Sequence, residues 1–394
     1  MDLKSIYFDK FMVLRYDGFM IRRDYEPLDN FLQPNKVLVI YGPRRSGKTT
    51  LLQSFLQQTN LNTHMVSGDD IRVQQVLSSQ DFRQIVEFAE GYELVAIDEA
   101  QEIPNVGMGL KILVDQVPGM RVIATGSSSF EHSGQVGEPL TGRKRTLILY
   151  PISQSELLTQ HNRFELRENL ESYLVFGSYP EVLLANSRAE KIEIVSEIAN
   201  AYLLKDILAL EKIRNSRTMA DLLKLLAFQV GNEASSNELA ARLGVDVKTV
   251  QRYLDLLEKA FVVFRLGGFS RNLRQEVTRS SKYYFFDNGI RNALIAQFNT
   301  LSQRNDVGAL WENFVFMERM KFRTYIGVYA NVYFWRTYSQ QEIDLVEERE
   351  GRLIGYEAKW STRKSVQPPG LWAETYANAE YQVITPENYL DFIV

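Results

Sequence analysis

VIYGPRRSGKTTLL, residues Val39 to Leu52, leads from an apolar run through a glycine-rich turn into a helix-forming stretch. Within it Gly42-Pro43-Arg44-Arg45-Ser46-Gly47-Lys48-Thr49 satisfies G-x-x-x-x-G-K-[ST], with Thr50 next in line. A strand before and a helix after are the context in which this pattern forms a phosphate cradle. Loop amides and the positive end of the helix both favour an anion. Lys48 adds a point charge for the β and γ phosphates, and Thr49 offers a hydroxyl to Mg2+. Residues 42–50 are therefore expected to bind ATP or ADP with Mg2+.

Fifty residues beyond Lys48, the apolar residues Leu94 to Ile97 run into Asp98 and Glu99. The carboxyl end of a buried parallel strand is where such sheets bind ligands. Asp98 is expected to hold the metal, directly or through water, and Glu99 to orient or deprotonate the attacking water. A further apolar stretch, RVIATG, ends on Thr125 and is followed by Ser127. These hydroxyls either contact the γ-phosphate or the water, or simply cap a turn. In LTGRKR, either Arg143 or Arg145 acts as an arginine finger, in cis or from a neighbouring subunit, or else the cluster is a solvated basic loop.

Strands and helices alternating over residues 36–150 give the α/β pattern of a mostly parallel sheet. Residues 1–35 read as a segment packed on that core, and 151–215 as a helical lid or connector. With 45% apolar and 24% charged residues, the 394-residue chain has the composition of a soluble globular protein of several domains. Its apolar runs fall far short of the roughly 20 residues that cross a bilayer. The N-terminus, MDLKSIYFDK, is no secretory signal, so a cytoplasmic location without a membrane partner is expected. The absence of cysteine excludes disulfides, thiolate zinc sites and cysteine nucleophiles. His64, His132 and His161 are too scattered for a histidine metal site, so any metal should be oxygen-ligated. A net charge of −4 gives the whole chain no attraction to nucleic acid.

SSNELAARLGVDVKTVQRYLDLLEKA, residues 235–260, has the spacing of a helix-turn-helix. Ser236 is expected to cap a helix that buries Leu239, Ala240 and Leu243, and Gly244 to end it. A second helix from near Asp246 would bury Val250, Leu254 and Leu257, leaving Lys248, Thr249, Arg252 and Tyr253 outside to meet DNA. From Arg242 to Lys282, nine basic residues face four acidic ones, a local excess suited to phosphate. Such modules also mediate protein contacts.

Near the end, Glu342-Ile343-Asp344-Leu345-Val346 and Leu353-Ile354-Gly355-Tyr356-Glu357-Ala358-Lys359 read as a β-hairpin. Strand alternation puts Glu357 and Lys359 on one side. With Asp344 there as well, Asp344 and Glu357 could ligate Mg2+ for phosphodiester cleavage, and Glu312 on the preceding helix could complete the set. A D-x(n)-E-x-K pattern also arises by chance on solvated hairpins.

Taken together, VIYGPRRSGKTTLL, LVAIDEAQEI, VIATGSSS, LTGRKRTLILYPIS, FGSYPEV, NELAARLGVDVKTVQRYLDLLEKAFVV, KYYFFDNGIRNAL, GALWENFVFMERM and EIDLVEE with GYEAKW resemble one family over nearly the whole chain. Its members are prokaryotic ATPases with an AAA-type core, a winged-helix segment and a C-terminal domain of the restriction-endonuclease-like superfamily. The resemblance implies an ATPase core at 36–150, a lid at 151–215, a winged helix-turn-helix at 216–282 and a nuclease-like α/β domain at 283–394. It implies Lys48, Asp98 and Glu99 as ATPase residues, and Glu312, Asp344, Glu357 and Lys359 as the nuclease-like set. Ile343 stands where that superfamily often has proline. The expected role is a Mg2+-dependent ATPase acting on or with DNA. An ATP-controlled protein-interaction switch with an inactive last domain is the alternative, and assembly into a homo-oligomer is left open.

Overall fold

Five strands account for the first sheet: β1 (Lys36–Tyr41), β2 (Thr63–Ser67), β3 (Leu94–Asp98), β4 (Arg121–Gly126) and β5 (Lys144–Ile148). All pairings are parallel, in the order β2-β3-β4-β1-β5. β1 and β3 read as unbroken apolar runs because helices cover both faces of a parallel sheet. On one face Leu38, Ile40, Leu94, Ala96 and Ile123 pack against Leu51, Leu52 and Phe55 of helix Lys48–Gln58, with Tyr25 and Leu28. Of the expected N-terminal segment, Tyr25 and Leu28 lie in this cluster. The computed structural model describes residues 21–127, 139–201, 216–271, 280–361 and 367–393. Parts of the expected N-terminal segment and lid, with Arg274 and Arg279 of the basic stretch, lie outside these residues.

After short helices Gln154–Leu157, Arg163–Glu168, Leu170–Phe176 and Pro180–Leu184 comes helix Arg188–Ala201. The turn at Gly177-Ser178 locks this region to the later chain. Gly177 has φ 80°, and a Cβ there would lie 1.9 Å from Asp287 Oδ1, so only glycine fits. Asp287 Oδ2 in turn accepts from the Ser178 amide at 2.7 Å.

The second sheet comprises β6 (Glu233–Ala234), β7 (Val263–Gly268), β8 (Ser281–Phe285), β9 (Asn331–Arg336), β10 (Glu342–Arg349), β11 (Arg352–Ala358) and β12 (Glu380–Ile384). Its order is β12-β11-β10-β9-β7-β8-β6. The expected boundary between residues 282 and 283 is corrected here, because it would cut β8, and β7 continues into β9 by parallel pairing at Gly267–Tyr333. The helix-turn-helix segment and the C-terminal unit thus share one continuous sheet.

Helices Ser216–Phe228, Ser236–Leu243 and Val247–Lys259 precede β7. Ser235, rather than Ser236, caps the second by accepting from the Glu238 amide. Gly244, at φ 67°, ends it, and Asp246 caps the third by accepting from the Thr249 amide at 2.9 Å. The β10–β11 hairpin forms as expected, with Leu345 opposite Tyr356. Helix Val307–Tyr325 packs across β8 and β11 with Leu310, Trp311, Phe314, Val315 and Phe316 buried. Among the described residues no helix is long and apolar enough to cross a membrane.

Candidate functional site

Gly42 follows β1 at φ 151°, with its Cα so close to the chain after β5 that a Cβ would lie 2.3 Å from Leu149 O. That contact turns the chain sharply into the loop that ends at Gly47, where helix Lys48–Gln58 begins. The buried Lys48 ammonium donates to the Gly42 and Pro43 carbonyls at 3.1 and 2.8 Å. Ser46 Oγ is buried within the loop and meets no hydrogen-bond partner among the described residues. Arg44 is half-buried, while Thr50 is exposed on the first turn of the helix. Arg45 takes a left-handed φ of 58° and turns outward to Glu181 at 3.4 Å and Glu197 at 2.6 Å, on the helices after the sheet.

Parallel register brings the second half of the site to the same sheet edge. Thr49 Oγ1 donates to Asp98 Oδ2 at 2.9 Å, and Thr125 Oγ1 donates to Asp98 Oδ1. Burial raises the Asp98 carboxyl above its usual range, and the hydrogen bonds from Thr125 and Thr49 work against that rise. Glu99, at φ 50°, turns away from the strand, and its amide donates to Thr125 Oγ1 at 3.3 Å. Gln101 Nε2 donates to Glu99 Oε2, and Gln101 Oε1 accepts from the Ser127 amide at 3.1 Å. Ser127 is therefore buried at this edge through its main chain. Gln101 is a bridging residue that sequence reasoning missed, although its place two residues after Glu99 was a usable signal.

The donor set suits Mg2+ with a triphosphate. A threonine hydroxyl that gives its proton to Asp98 keeps lone pairs for a hard cation, and Ser46 Oγ lies unsatisfied in the same cradle. The arginine-finger reading of Arg143 and Arg145 within one chain is corrected. Both precede or open β5, whose Lys144 pairs with Val37 at the sheet edge opposite the P-loop. Arg143 is ion-paired with Asp115 at 2.7 Å, and Arg145 lies 4.5 Å over the Phe31 ring and donates to Asn30 O.

The N-terminal segment adds a residue that the sequence did not single out. Arg23 is buried and donates from Nη1 to Ser46 O at 2.6 Å, from Nη2 to Tyr150 O at 2.7 Å and from Nε to Glu156 Oε1 at 2.7 Å. Tyr325 OH, at the end of helix Val307–Tyr325, completes the group by accepting from Arg23 at 3.3 Å and from the Tyr150 amide at 3.2 Å.

The helix-turn-helix surface matches the sequence in part. Lys248 and Arg252 are exposed, and Thr249 is half-buried with its hydroxyl donating to Asp246 at 2.6 Å. Tyr253 is corrected from a surface residue to a core one, at 2% exposure. It lies three residues after Val250 on the apolar stripe of its helix, so it packs inward, and Arg252 lies 5.5 Å from its ring. Lys282, counted with the basic surface, is likewise buried at 2% exposure.

Of the expected C-terminal carboxylates, Glu312 and Asp344 lie around Lys282 together with Glu342, which the sequence did not single out, while Glu357 lies against Lys359. Lys282 Nζ on β8 lies 2.5 Å from Glu342 Oε1, 3.5 Å from Glu312 Oε1 and 3.8 Å from Asp344 Oδ1. Asp344 Oδ2 accepts from the Ala358 amide at 3.1 Å, and Tyr284 OH donates to Glu312 at 2.6 Å. Glu357 and Lys359 share a face as expected, 2.5 Å apart. Burial, with the Asp344 charge, pushes the Glu312 carboxyl up to about 7. Burial pulls the Lys282 ammonium down, but Glu312, Asp344 and Glu342 outweigh it and hold the group above its ordinary value. Asp344 and Glu357 were expected as a metal-ligand pair; among the described residues no group of three or more His, Cys, Asp or Glu side chains is arranged to hold a metal. Lys282 lies against Asp344, Glu312 and Glu342, while Glu357 is paired with Lys359.

A family model described as an AAA domain matches residues 34–158. This part of the chain, with its P-loop and parallel sheet, is similar to AAA domains. Models described only as domains of unknown function, DUF8612 and DUF4143, match residues 167–301 and 307–386. The uncharacterized protein Rv2008c of Mycobacterium tuberculosis is 30% identical over 334 residues, covering 84% of this chain and 71% of that protein. The chain belongs to the same family as Rv2008c. The uncharacterized protein MJ1544 of Methanocaldococcus jannaschii is 27% identical, over 76% of this chain and 69% of that protein. The structure of AMPPCP-bound DnaA from Aquifex aeolicus matches at 18% identity, 60% of this chain and 85% of that one, with a TM-score of 0.29, too low to bear on function.

Proposed function

We propose that the chain is a Mg2+-dependent ATPase that acts on or with DNA. The observation that carries the reading is the meeting of Lys48, Thr49, Asp98 and Glu99 at one sheet edge, with Thr49 and Asp98 in direct hydrogen bond. Thr49 and Asp98 would hold the metal, which would neutralise charge developing on the transferred phosphoryl group. Loop amides of residues 43–48 would bind the β-phosphate, Lys48 would leave the Gly42 and Pro43 carbonyls for the phosphates, and Glu99 would orient the water. Gln101 holds the Glu99 carboxylate and the Ser127 amide together, so it would couple the water's position to the end of β4.

The DNA part of the reading rests on exposed Lys248 and Arg252 on helix Val247–Lys259. The three helices from Ser216 to Lys259, followed by strands β7 and β8, have the element order of a winged helix. A nuclease-like reading of the C-terminal unit rests on the β10–β11 hairpin and on Glu357 and Lys359 sharing one face of it. ATP turnover by the purified chain, measured with and without duplex DNA, tests the proposal. Turnover unaffected by Lys48→Ala would refute the site, and DNA affinity unaffected by Lys248→Ala with Arg252→Ala would refute the interface.

A second reading, an ATP-controlled protein-interaction switch whose C-terminal unit does not cleave, is favoured by one observation: Lys282 lies among the carboxylates that a nuclease would give to metal. Plasmid nicking with Mg2+, lost in Asp344→Ala, would reject it.

A further inference from the structure

The acidic cluster on the second sheet draws its counter-charge from a distant part of the chain. Lys282 comes from β8, separated from β10 by β7 and β9, and its ammonium passes 5.7 Å from the Phe334 ring on β9. Three carboxylates from two elements, Glu312 on helix Val307–Tyr325 and Glu342 and Asp344 on β10, lie within 3.8 Å of that one nitrogen. Glu342 and Asp344 point the same way because they are two apart on a strand. Arg336 lies 3.6 Å from Glu342, and Lys359 pairs with Glu357 rather than with the central three.

Carboxylates this close, with Asp344 buried and Glu312 and Glu342 partly so, repel one another unless a cation lies between them. An ammonium meets that need at hydrogen-bond distances, whereas Mg2+ demands oxygen ligands at about 2.1 Å in near-octahedral order. Closing the carboxylates to that distance would drive them into the lysine nitrogen. We infer that Lys282 is the resident cation of the Glu312–Glu342–Asp344 cluster, taking the place of a divalent metal, and that the cluster accepts such a metal only when Lys282 is gone. The lysine belongs to the strand that follows the helix-turn-helix, so the same ammonium ties that segment to the C-terminal carboxylates. The inference does not depend on the ATPase reading of the P-loop.

The test is Mn2+ binding to the full chain without nucleotide, followed by calorimetry and by the EPR signal of free Mn2+. Wild type and Asp344→Asn should take up the same amount, since the cluster contributes no site. Lys282→Met should gain one tight Mn2+ per chain, and adding Asp344→Asn to that variant should remove it. A wild-type site lost in Asp344→Asn would overturn the inference without recourse to any lysine variant. Lys282→Met or Lys282→Gln that stays folded by circular dichroism yet gains no Mn2+ would overturn it as well. If both lysine variants unfold, the comparison of wild type with Asp344→Asn still decides.

Discussion

Arg23 holds the P-loop from behind: its Nη1 lies 2.6 Å from the Ser46 carbonyl oxygen, while its Nε is paired with Glu156. Glu156 is fully buried, so the guanidinium is the charge that lets this carboxylate stay inside. Removing one member of a buried ion pair leaves the other uncompensated, at a cost of about 3–5 kcal/mol. Arg23→Ala should lose stability of that order in urea denaturation. A loss below about 1 kcal/mol would show that the pair is dispensable.

Lys48 and Glu99 should fail differently. Lys48→Ala removes charge that binds the phosphates, so both nucleotide affinity and turnover should fall. Glu99→Gln keeps size and leaves the loop untouched, so ATP should bind within a few-fold of wild type while turnover drops about 100-fold or more, as for loss of a general base. Equal losses of affinity in the two variants, measured by calorimetry, would contradict the separate roles.

Glu312 makes a pH prediction. Its carboxyl titrates near 7 in the folded chain, against an ordinary value of 4.5. Between those values the folded chain keeps a proton that the unfolded chain has released, so stability falls as pH rises through that window. Glu312→Gln has no proton to lose and should show a flatter stability profile from about pH 5 to 7. A variant profile as steep as wild type would show that Glu312 is not the titrating group.

On helix Val247–Lys259 the two kinds of residue should separate cleanly. Tyr253→Ala empties a core position and should cost about 3–5 kcal/mol, as for other buried aromatic truncations. Lys248→Ala with Arg252→Ala, both exposed, should change stability by about 0.5 kcal/mol or less. Under the DNA reading that pair should lower duplex affinity and flatten its dependence on salt. Thermal melts beside fluorescence anisotropy on duplex DNA would expose either half as wrong.

Much of the candidate nucleotide site was legible along the chain because its parts are local: a strand, a turn that admits only glycine at Gly42, and a helix that begins at Lys48. The acidic pair was legible for the same reason, since Asp98 and Glu99 end a continuous apolar run. The inward turn of Tyr253 was also available, three residues after Val250, but its hydroxyl and its basic neighbours disguised it as surface. Arg143 and Arg145 misled because a basic cluster near a strand says nothing about which end of the sheet it occupies.

What the sequence by itself determined was each stretch of local pattern: the glycine-rich loop, the parallel strands, the helix stop at Gly244 and the β10–β11 hairpin. Period, capping and turn chemistry act over a few residues, so they can be read without the fold. Only the tertiary structure decided that Arg23 would grip Ser46, that β7 would join two expected domains into one sheet, and that Lys282 would come to lie among Glu312, Glu342 and Asp344. Those pairings join residues tens of positions apart, and they depend on strand order and burial, which no local spacing encodes.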